Sequence, residues 1–379
     1  MTVDPDLAGG RLTIDLNALV SNWQLLGERA RSAECAAVVK ANAYGCGIEP
    51  AVAALSNAGC KTFFVALPQE GLRVKHTVPS ARCFVLNGLF ESAVKTYAAA
   101  GLTPILGSLE EIAVWAAFAR QSSARQPCAI HFDSGMTRLG LSLSDLKTFV
   151  DDATLNDPLD VQLFMTHYAC ADDVGHPQTQ QQRQKFMEAA KLLPGVPRSA
   201  ANSAADLQME GHEFELVRPG VALYGGEALN DTPNPMQQVA KLEARIVQIR
   251  NARAGDAVGY GAAEILTRDR RIAYVSVGYA DGYFRAASNT GVAMREIAPP
   301  AVAAYQGQII NGIGRISMDL SAFDVSDIPS SEIAAGNWIE LFGDVVHVDD
   351  VARAAGTIGY ELLTGLGNRY SRTYVGGDG

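Results

Sequence analysis

The run Cys35-Ala-Ala-Val-Val-Lys-Ala-Asn-Ala-Tyr-Gly-Cys-Gly47 carries the strongest fold signal in this chain of 379 residues. Four small or apolar residues, Ala36–Val39, predict a strand that is buried on both faces. The Asn and Gly residues that follow predict a turn in which backbone approaches a ligand closely. Lys40 therefore ends a buried strand, where loss of water disfavours its ammonium form. Such an amine is a candidate Schiff-base former, although a lysine that extends its charged end to solvent fits the same pattern.

Short apolar runs alternate with amphipathic stretches up to about residue 229, which is typical of β/α units around a parallel sheet. The number of units favours a (β/α)8 barrel with its site at the carboxyl ends of the strands. An open doubly wound sheet is the alternative, but no glycine-rich dinucleotide motif follows a first strand. The predicted strands are Ala36–Lys40, Thr62–Ala66, Cys83–Asn87, Thr103–Leu106, Ala129–Asp133, Val161–Thr166, Arg198–Ala201 and Val221–Tyr224, and the predicted helices include Glu91–Ala100, Glu110–Arg120, Leu146–Asp152 and Gln178–Leu193.

The stretch Asn230–Pro235 is polar, contains proline and has the composition of a linker. We therefore expect the barrel to span residues 1–235 and a mostly β domain to span residues 236–379. A strand at Leu12–Ile14 is expected to pair with that second domain, and Asp15 is expected to cap a first helix, Leu16–Leu26. In the second domain the predicted strands are Val239–Arg250, Arg271–Val277, Ala301–Ile310, Ile313–Asp324 and Trp338–Phe342, and the predicted helix is Val351–Ala355, capped by Asp349 or Asp350.

The composition indicates a globular protein that acts on a small metabolite. A net charge of -10 and a pI near 5.1 argue against nucleic acid or an anionic membrane surface as a partner. The segment Met1–Asp6 has no basic and apolar leader pattern, and no apolar run reaches the roughly 18 residues of a membrane span. We therefore expect a cytoplasmic protein. Six cysteines stand singly, which predicts reduced thiols and no metal site.

The phrase Val39-Lys-Ala-Asn-Ala-Tyr-Gly-Cys-Gly47 resembles the pyridoxal 5'-phosphate (PLP) lysine motif of alanine racemases, and the resemblance extends along nearly the whole chain. It implies that Lys40 bonds covalently to PLP and that Tyr44 helps to hold the phosphate. Ala257-Val-Gly-Tyr-Gly261 resembles the catalytic tyrosine motif of the family, which assigns Tyr260 as a second proton carrier opposite Lys40. Racemisation removes an α-proton and returns one to the opposite face, while PLP serves as the electron sink.

Other segments resemble further motifs of the family and imply further roles. Arg218 matches the arginine at the pyridine nitrogen of PLP, and because arginine keeps its proton, the ring nitrogen stays largely unprotonated. His167 and Arg285 match a network behind Tyr260, whose phenol needs positive neighbours because lowering its pKa by two units takes roughly 2.7 kcal/mol. Met318 matches a contact to the substrate carboxylate, and Asp319 a supporting residue. The phosphate ligands implied are Ser203, the backbone at Gly220 and Val221, and Tyr360.

Arg138 resembles the arginine that binds the substrate carboxylate and the phenolic oxygen of the cofactor. Seven residues earlier, many family members have a carbamylated lysine whose negative charge orients this arginine, but this chain has His131. Histidine cannot carry a stable carbamate of that kind. We expect a bound anion such as chloride, or Asp133, to supply the missing charge, and a crystal structure with neither beside Arg138 would rule this out.

The resemblance implies interconversion of L- and D-alanine, which supplies D-alanine for cell-wall peptidoglycan, in a homodimer with shared active sites. A racemase for serine or basic amino acids is the main alternative. A related decarboxylase is disfavoured because it needs a carboxylate at the pyridine nitrogen, where this chain has Arg218. A PLP-binding carrier without turnover is a third alternative, but single-barrel relatives of that kind lack a second β domain.

Overall fold

The computed structural model describes residues 3–122, 124–208 and 211–377. Its strands are β1 (Gly10–Asp15), β2 (Glu34–Cys35), β3 (Ala37–Val38), β4 (Thr62–Val65), β5 (Arg82–Val85), β6 (Leu102–Leu106), β7 (Gln126–His131), β8 (Leu159–Met165), β9 (Arg198–Ser199), β10 (Leu216–Val217), β11 (Ala240–Ala252), β12 (Ala257–Val258), β13 (Glu264–Ile265), β14 (Arg270–Val275), β15 (Val302–Tyr305), β16 (Gln308–Asn311), β17 (Ser321–Asp324), β18 (Trp338–Phe342) and β19 (Ser371–Val375).

The α-helices are α1 (Leu16–Arg29), α2 (Lys40–Tyr44, a single turn), α3 (Ile48–Asn57), α4 (Pro68–Thr77), α5 (Val94–Ala100), α6 (Leu109–Ala119), α7 (Leu143–Asp151), α8 (Ala153–Asn156), α9 (Pro177–Ala190), α10 (Ser203–Gln208), α11 (Val348–Ala355) and α12 (Gly359–Thr364). The chain divides into two compact units. One, the barrel unit, contains residues 19–223 and 227–236, and the other, the β unit, contains residues 3–18, 224–226 and 237–376.

The barrel unit confirms the predicted (β/α)8 architecture. Seven parallel strands follow one another in the order β3-β4-β5-β6-β7-β8-β9. The eighth position is taken by β10, which pairs with β2 and is followed by a hydrogen bond from Val38 N–H to the Pro219 carbonyl (3.0 Å). On the other side, Arg218 N–H donates to the Ala201 carbonyl (2.9 Å), so the ring of strands closes. Strands β4 and β6 are buried along their whole length, as parallel strands covered by helices must be.

One strand of the barrel is not where the sequence predicts it. The eighth strand is Leu216–Val217, and the predicted strand Val221–Tyr224 is instead a buried 3-10 turn. Two apolar runs flank Pro219 and Gly220, and periodicity alone does not separate a buried strand from a buried turn.

The β unit confirms the prediction of a mostly β second domain. Its main sheet has the order β16-β15-β18-β11-β1-β19, and β14 and β17 extend it from β11. The predicted pairing of Leu12–Ile14 is confirmed, because β1 lies antiparallel to β11 and parallel to β19. Of the predicted strands, Val239–Arg250, Arg271–Val277 and Trp338–Phe342 are observed with small shifts at their ends.

Two predicted strands of the β unit are wrong in extent. Ala301–Ile310 is a hairpin of β15 and β16, because Gln306 and Gly307 both take positive φ (48° and 84°) and reverse the chain. Ile313–Asp324 is a strand only in its last four residues, β17, and its first part is a loop that carries Met318.

The helix caps are predicted correctly in one case and displaced in the other. The Asp15 carboxylate accepts from the N–H groups of Asn17 (2.8 Å) and Ala18 (3.0 Å), as expected for an N-cap. Helix α11 begins at Val348, before both predicted caps. Asp350 therefore lies inside the helix, where its carboxylate accepts from His347 N–H (2.9 Å).

All six cysteines are free thiols, and five of them are buried. Within the described residues, no helix combines the length and the apolar character that a membrane crossing requires.

Candidate active site

Lys40 lies at the carboxyl end of the first barrel strand and is partly buried. Burial lowers the pKa of its amine, and the positive charge of Arg138 lowers that pKa further. Among the described residues, the amine has neither a hydrogen-bond acceptor nor an ion-pair partner. It is therefore available as a nucleophile and as a proton carrier.

The turn that follows Lys40 is left-handed. Ala41, Asn42, Ala43 and Tyr44 have φ angles of 52°, 58°, 54° and 50°. Each such L-residue costs about 1–2 kcal/mol relative to the right-handed conformation, so surrounding contacts must hold the turn. One of them is the Asn42 side-chain oxygen, which accepts from Ile48 N–H (3.1 Å) and from the Arg73 guanidinium (2.8 Å).

Tyr44, Ser203 and Gly220 meet at one place in the barrel unit. A Cβ on Gly220 would lie 2.4 Å from the Tyr44 hydroxyl, so only glycine lets the phenol approach this backbone. Ser203 Oγ accepts from the N–H groups of Gly220 (2.8 Å) and Ala222 (3.4 Å). The Ser203 hydroxyl proton and Val221 N–H have no acceptor among the described residues. This group of donors, the anion cradle, fits a phosphate.

Arg218 is buried beside the cradle and is held by its terminal nitrogens. It donates to the Ser199 hydroxyl, to the Thr166 carbonyl (2.7 Å) and to His167 Nδ1 (3.3 Å). Burial lowers the pKa of Arg218 to about 10, which leaves it charged at neutral pH. Its Nε–H has no acceptor within the described part of the chain, so it can serve a ligand.

His167 is a neutral imidazole in this unit. Burial lowers its pKa well below the ordinary value, and Arg218 and Arg138 add to the effect. Because the Arg218 guanidinium can only donate, His167 Nδ1 accepts and the ring proton is on Nε2. The neutral ring leaves the guanidinium of Arg285 as the positive neighbour expected for Tyr260, and the network of both residues behind Tyr260 stays a prediction.

Arg138 stands on a loop whose base is closed by backbone hydrogen bonds between Leu141 and both His131 (2.8 Å) and Asp133 (3.0 Å). The Asp133 carboxylate accepts from the N–H groups of residues 135–137, and these bonds outweigh burial and keep its pKa low. Arg138 has no ion pair among the residues that the structure describes. The alternative in which Asp133 replaces the carbamate is therefore wrong, because Asp133 holds the loop instead.

His131 is buried, and burial followed by the charge of Arg218 lowers its pKa to about 4. With Arg138 it lines a cavity of about 320 Å³. Because His131 and His167 are neutral, the positive charges here are those of Lys40, Arg138 and Arg218, while Glu70 acts on Lys40 and Glu111 lines the same cavity as Arg138. The three cations suit the anionic groups of a ligand within a chain of net charge -10.

The other predicted site residues belong to the β unit. Tyr260 lies between two glycines of positive φ and is 70% exposed, and its hydroxyl has no partner among the described residues. Met318 is 53% exposed. Arg285 is exposed and likewise has no described partner, and Tyr360 is partly buried in α12.

Asp319 is tied to a residue that the sequence analysis missed. Arg369 donates to the Asp319 carboxylate (2.8 Å) and holds Asp281 with two hydrogen bonds (2.6 and 2.8 Å). Ala280 N–H in turn donates to the Met318 carbonyl (3.0 Å), so Arg369 braces the loop that presents Met318. No sequence signal marks it, because its partners are distant along the chain.

Comparison with known proteins decides the family. Residues 14–228 match the family model for the alanine racemase N-terminal domain, and residues 239–374 match that for the C-terminal domain. The chain belongs to the alanine racemase family. It is 46% identical to the alanine racemase of Rhizobium meliloti (strain 1021), with 98% of each chain covered. It is also 46% identical to the biosynthetic alanine racemase of Agrobacterium fabrum, with 97% of this chain and 94% of that protein covered.

A solved alanine racemase, from Bartonella henselae with covalently bound pyridoxal phosphate, superposes with a TM-score of 0.89. It is 34% identical to this chain, and the match covers 97% of this chain and 100% of that one. The alanine racemase match includes the β unit as well as the barrel, so the chain has the second domain that single-barrel carriers lack.

Proposed function

We propose that this chain interconverts L- and D-alanine with PLP, and that Lys40 and Tyr260 are the two proton carriers. The observation that carries the proposal is the Lys40 amine, which has a lowered pKa and no partner and stands at the barrel mouth. In the same unit the anion cradle, with its Ser203 hydroxyl and Val221 N–H beside Tyr44 and Gly220, fits the phosphate of PLP.

The residues present fit both the phosphate and the pyridine ring of PLP. Ser203, Tyr44, Tyr360 and the backbone at Gly220 and Val221 would hold the phosphate, Arg218 Nε would serve the ring nitrogen, and His167 would lie beside the ring. Bound PLP supplies an electron sink for negative charge at the α-carbon. Arg218 keeps this sink modest, because its guanidinium does not release its proton to the ring.

The proton carriers work from opposite faces of the substrate. In the L-to-D direction the Tyr260 oxygen takes the α-proton and the Lys40 ammonium returns one, and in the D-to-L direction the roles reverse. Arg138 binds the substrate carboxylate, and Met318 contacts it as well. Arg285 supplies positive charge to Tyr260, and Asp319, held by Arg369, supports the Met318 loop.

We also propose a cytoplasmic homodimer in which Tyr260 of one subunit completes the Lys40 site of the other. Tyr260 and Met318 are exposed in the single chain, although their roles require contact with a substrate. Ile265, Ile297 and Ile309 of the same unit are exposed apolar side chains that a partner subunit would cover. The proposed functional domains are residues 1–235 and 236–379, with residues 3–18 of the first folded into the β unit.

An anion beside Arg138 stays a prediction. The positive charges of Lys40, Arg138 and Arg218 and the neutral His131 favour a small anion such as chloride there.

A racemase of broader specificity is the second candidate. Serine or a basic amino acid is the alternative substrate.

Two variants test the two-carrier scheme. Lys40→Ala should abolish racemisation and the absorbance band of the protein-bound cofactor. Tyr260→Phe should lower kcat/KM by about 100-fold or more, equally in both directions, because the enantiomers have equal free energy in water. Near wild-type rates in both variants would defeat the assignment.

Solvent deuterium separates the roles of the two groups. In D2O, Tyr260→Phe should still exchange the α-hydrogen of D-alanine through Lys40, without inversion, but not that of L-alanine. Parallel assays of L-serine, L-lysine and L-arginine with the wild type decide the substrate. Faster turnover of any of these than of L-alanine would favour the broader racemase.

A further inference from the structure

Glu70 is a buried carboxylate that the racemisation scheme does not use. It is the third residue of α4 and is only 8% exposed. Its Oε1 accepts from Ala41 N–H (2.7 Å), and its Oε2 accepts from the N–H groups of Ala66 (2.9 Å) and Leu67 (3.0 Å). One side chain therefore joins the segment after β4 to the residue directly after Lys40.

The bond to Ala41 falls where the left-handed turn begins. Later residues of the turn have internal support, because Gly45 N–H donates to the Ala41 carbonyl (2.9 Å) and Gly47 N–H to the Asn42 carbonyl (2.8 Å). The Ala41 side chain is exposed and contributes no packing to the turn. The Glu70 carboxylate is the acceptor for the first N–H, and a charged acceptor makes a stronger bond than a neutral one.

Glu70 also acts on the lysine electrostatically. Its negative charge raises the pKa of the Lys40 amine, against the larger effects of burial and Arg138. The Glu70 carboxylate thus affects the Lys40 amine both through its hydrogen bond to the turn and through its charge.

We propose that Glu70 is a positioning residue for Lys40: its carboxylate holds the left-handed turn that orients the amine and keeps a negative charge near it. The structural part stands without the proposed function, and the kinetic consequence rests on it. A lysine that moves by a fraction of an ångström transfers protons poorly, so loss of the carboxylate acts on kcat more than on KM.

The test compares Glu70→Gln with Glu340→Gln in the full-length protein as purified. Glu340 is a buried carboxylate of the β unit that accepts from the N–H groups of Val345 (2.7 Å) and Val346 (3.1 Å), so it is a matched control outside the site. Hydrogen exchange by mass spectrometry, kcat and KM for L-alanine, and the pH profile of kcat are measured for both.

In Glu70→Gln, amide exchange at residues 41–47 should accelerate about tenfold or more. We expect kcat to fall about tenfold to 100-fold with KM changed less than about threefold. The basic limb of the kcat profile for L-alanine should move to lower pH, because this direction needs the Lys40 ammonium and removal of a negative charge lowers the pKa of the amine. In Glu340→Gln, faster exchange should be confined to residues near 343–347, with kcat within about twofold of the wild type.

A second background guards against a variant that fails to fold. Ala41→Gly removes the steric cost of the left-handed conformation at the turn's first residue. Glu70→Gln should have smaller effects in the Ala41→Gly background than in the wild type. Both the acceleration of amide exchange and the loss of kcat should be smaller.

Unchanged exchange at residues 41–47 in Glu70→Gln, or an equal loss of kcat in Glu340→Gln, overturns the inference. If exchange accelerates as expected but the wild type does not racemise alanine, the proposed function fails and the structural role of Glu70 stands.

Discussion

His131 is the residue at which this chain departs from the family motif around Arg138. Its burial and the nearby charges of Arg218 and Arg138 keep the imidazole neutral, with a pKa of about 4. The ring therefore adds no positive charge beside the buried Arg218 and the exposed Arg138. It adds no negative charge either, so it does not replace the charge of a carbamylated lysine.

The neutral ring predicts a specific loss of stability in acid. Unfolded histidine titrates near 6.5, so between pH 6.5 and 4 the unfolded chain binds a proton that the folded chain does not. This contribution to stability is complete above about pH 6.5 and falls by about 2 kcal/mol between pH 7 and pH 5. In His131→Asn, the difference in unfolding free energy between these pH values should shrink by about 2 kcal/mol, as measured by denaturant titration.

His76→Asn, at an exposed position, provides the control for the loss of an imidazole as such. An identical pH dependence in His131→Asn and the wild type would contradict the neutral, buried ring.

Sequence reasoning located the residues that belong to short recognisable motifs and missed a residue that belongs to none. Lys40, Ser203, Gly220 and Arg218 each belong to a short recognisable phrase, and the structure brings all four into the barrel unit. Glu70 acts on an amide 29 positions earlier, and no local pattern marks that contact.

At the scale of elements, the turn after Lys40 has a backbone conformation that its local sequence does not predict. Ala41, Ala43 and Tyr44 carry Cβ atoms that disfavour a left-handed backbone, so residue propensities do not predict this turn. It exists because Glu70 and Arg73 bond to it from outside and because its own Asn42 side chain accepts from Ile48 N–H. The same limit explains the misplaced eighth strand, where Pro219 and Gly220 break one apolar pattern into a strand and a turn.

The strained turn predicts that replacing alanine by glycine changes the free energy of unfolding in opposite directions at Ala41 and at Ala117. Ala41→Gly should raise the free energy of unfolding by up to about 1 kcal/mol, because relief of about 1–2 kcal/mol exceeds the chain-entropy cost of glycine. Ala117→Gly, at an exposed position in the right-handed helix α6, should lower it by about 1 kcal/mol. Denaturant titration of both variants checks the signs, and destabilisation by both would argue against the left-handed turn.

At the scale of the whole molecule, the fold class could be predicted from the sequence. Short apolar runs that alternate with amphipathic stretches indicate buried strands covered by helices. The order of strands in the β unit could not be predicted, since long-range pairing such as that of β1 with β19 leaves no local trace. Lys40 belongs to the barrel unit and Tyr260 to the β unit. Mixing subunits that lack one or the other therefore tests whether a site uses both subunits.

Shared sites predict complementation between two inactive variants. A heterodimer of Lys40→Ala and Tyr260→Phe subunits, purified through two different tags after co-expression, contains one site with both wild-type groups. It should recover about half of the wild-type kcat per dimer, whereas either homodimer stays inactive. An inactive heterodimer would show that each site draws both carriers from one subunit.

Strand β1 is flanked by neighbours from far along the chain: Leu12 pairs with Leu242 on one side and with Arg372 on the other. During translation, this early apolar strand therefore emerges long before either neighbour has been made. The ribosome must finish nearly the entire polypeptide before the sheet can take its native order. Until then, the backbone of β1 lacks the two neighbours that satisfy its hydrogen-bonding groups.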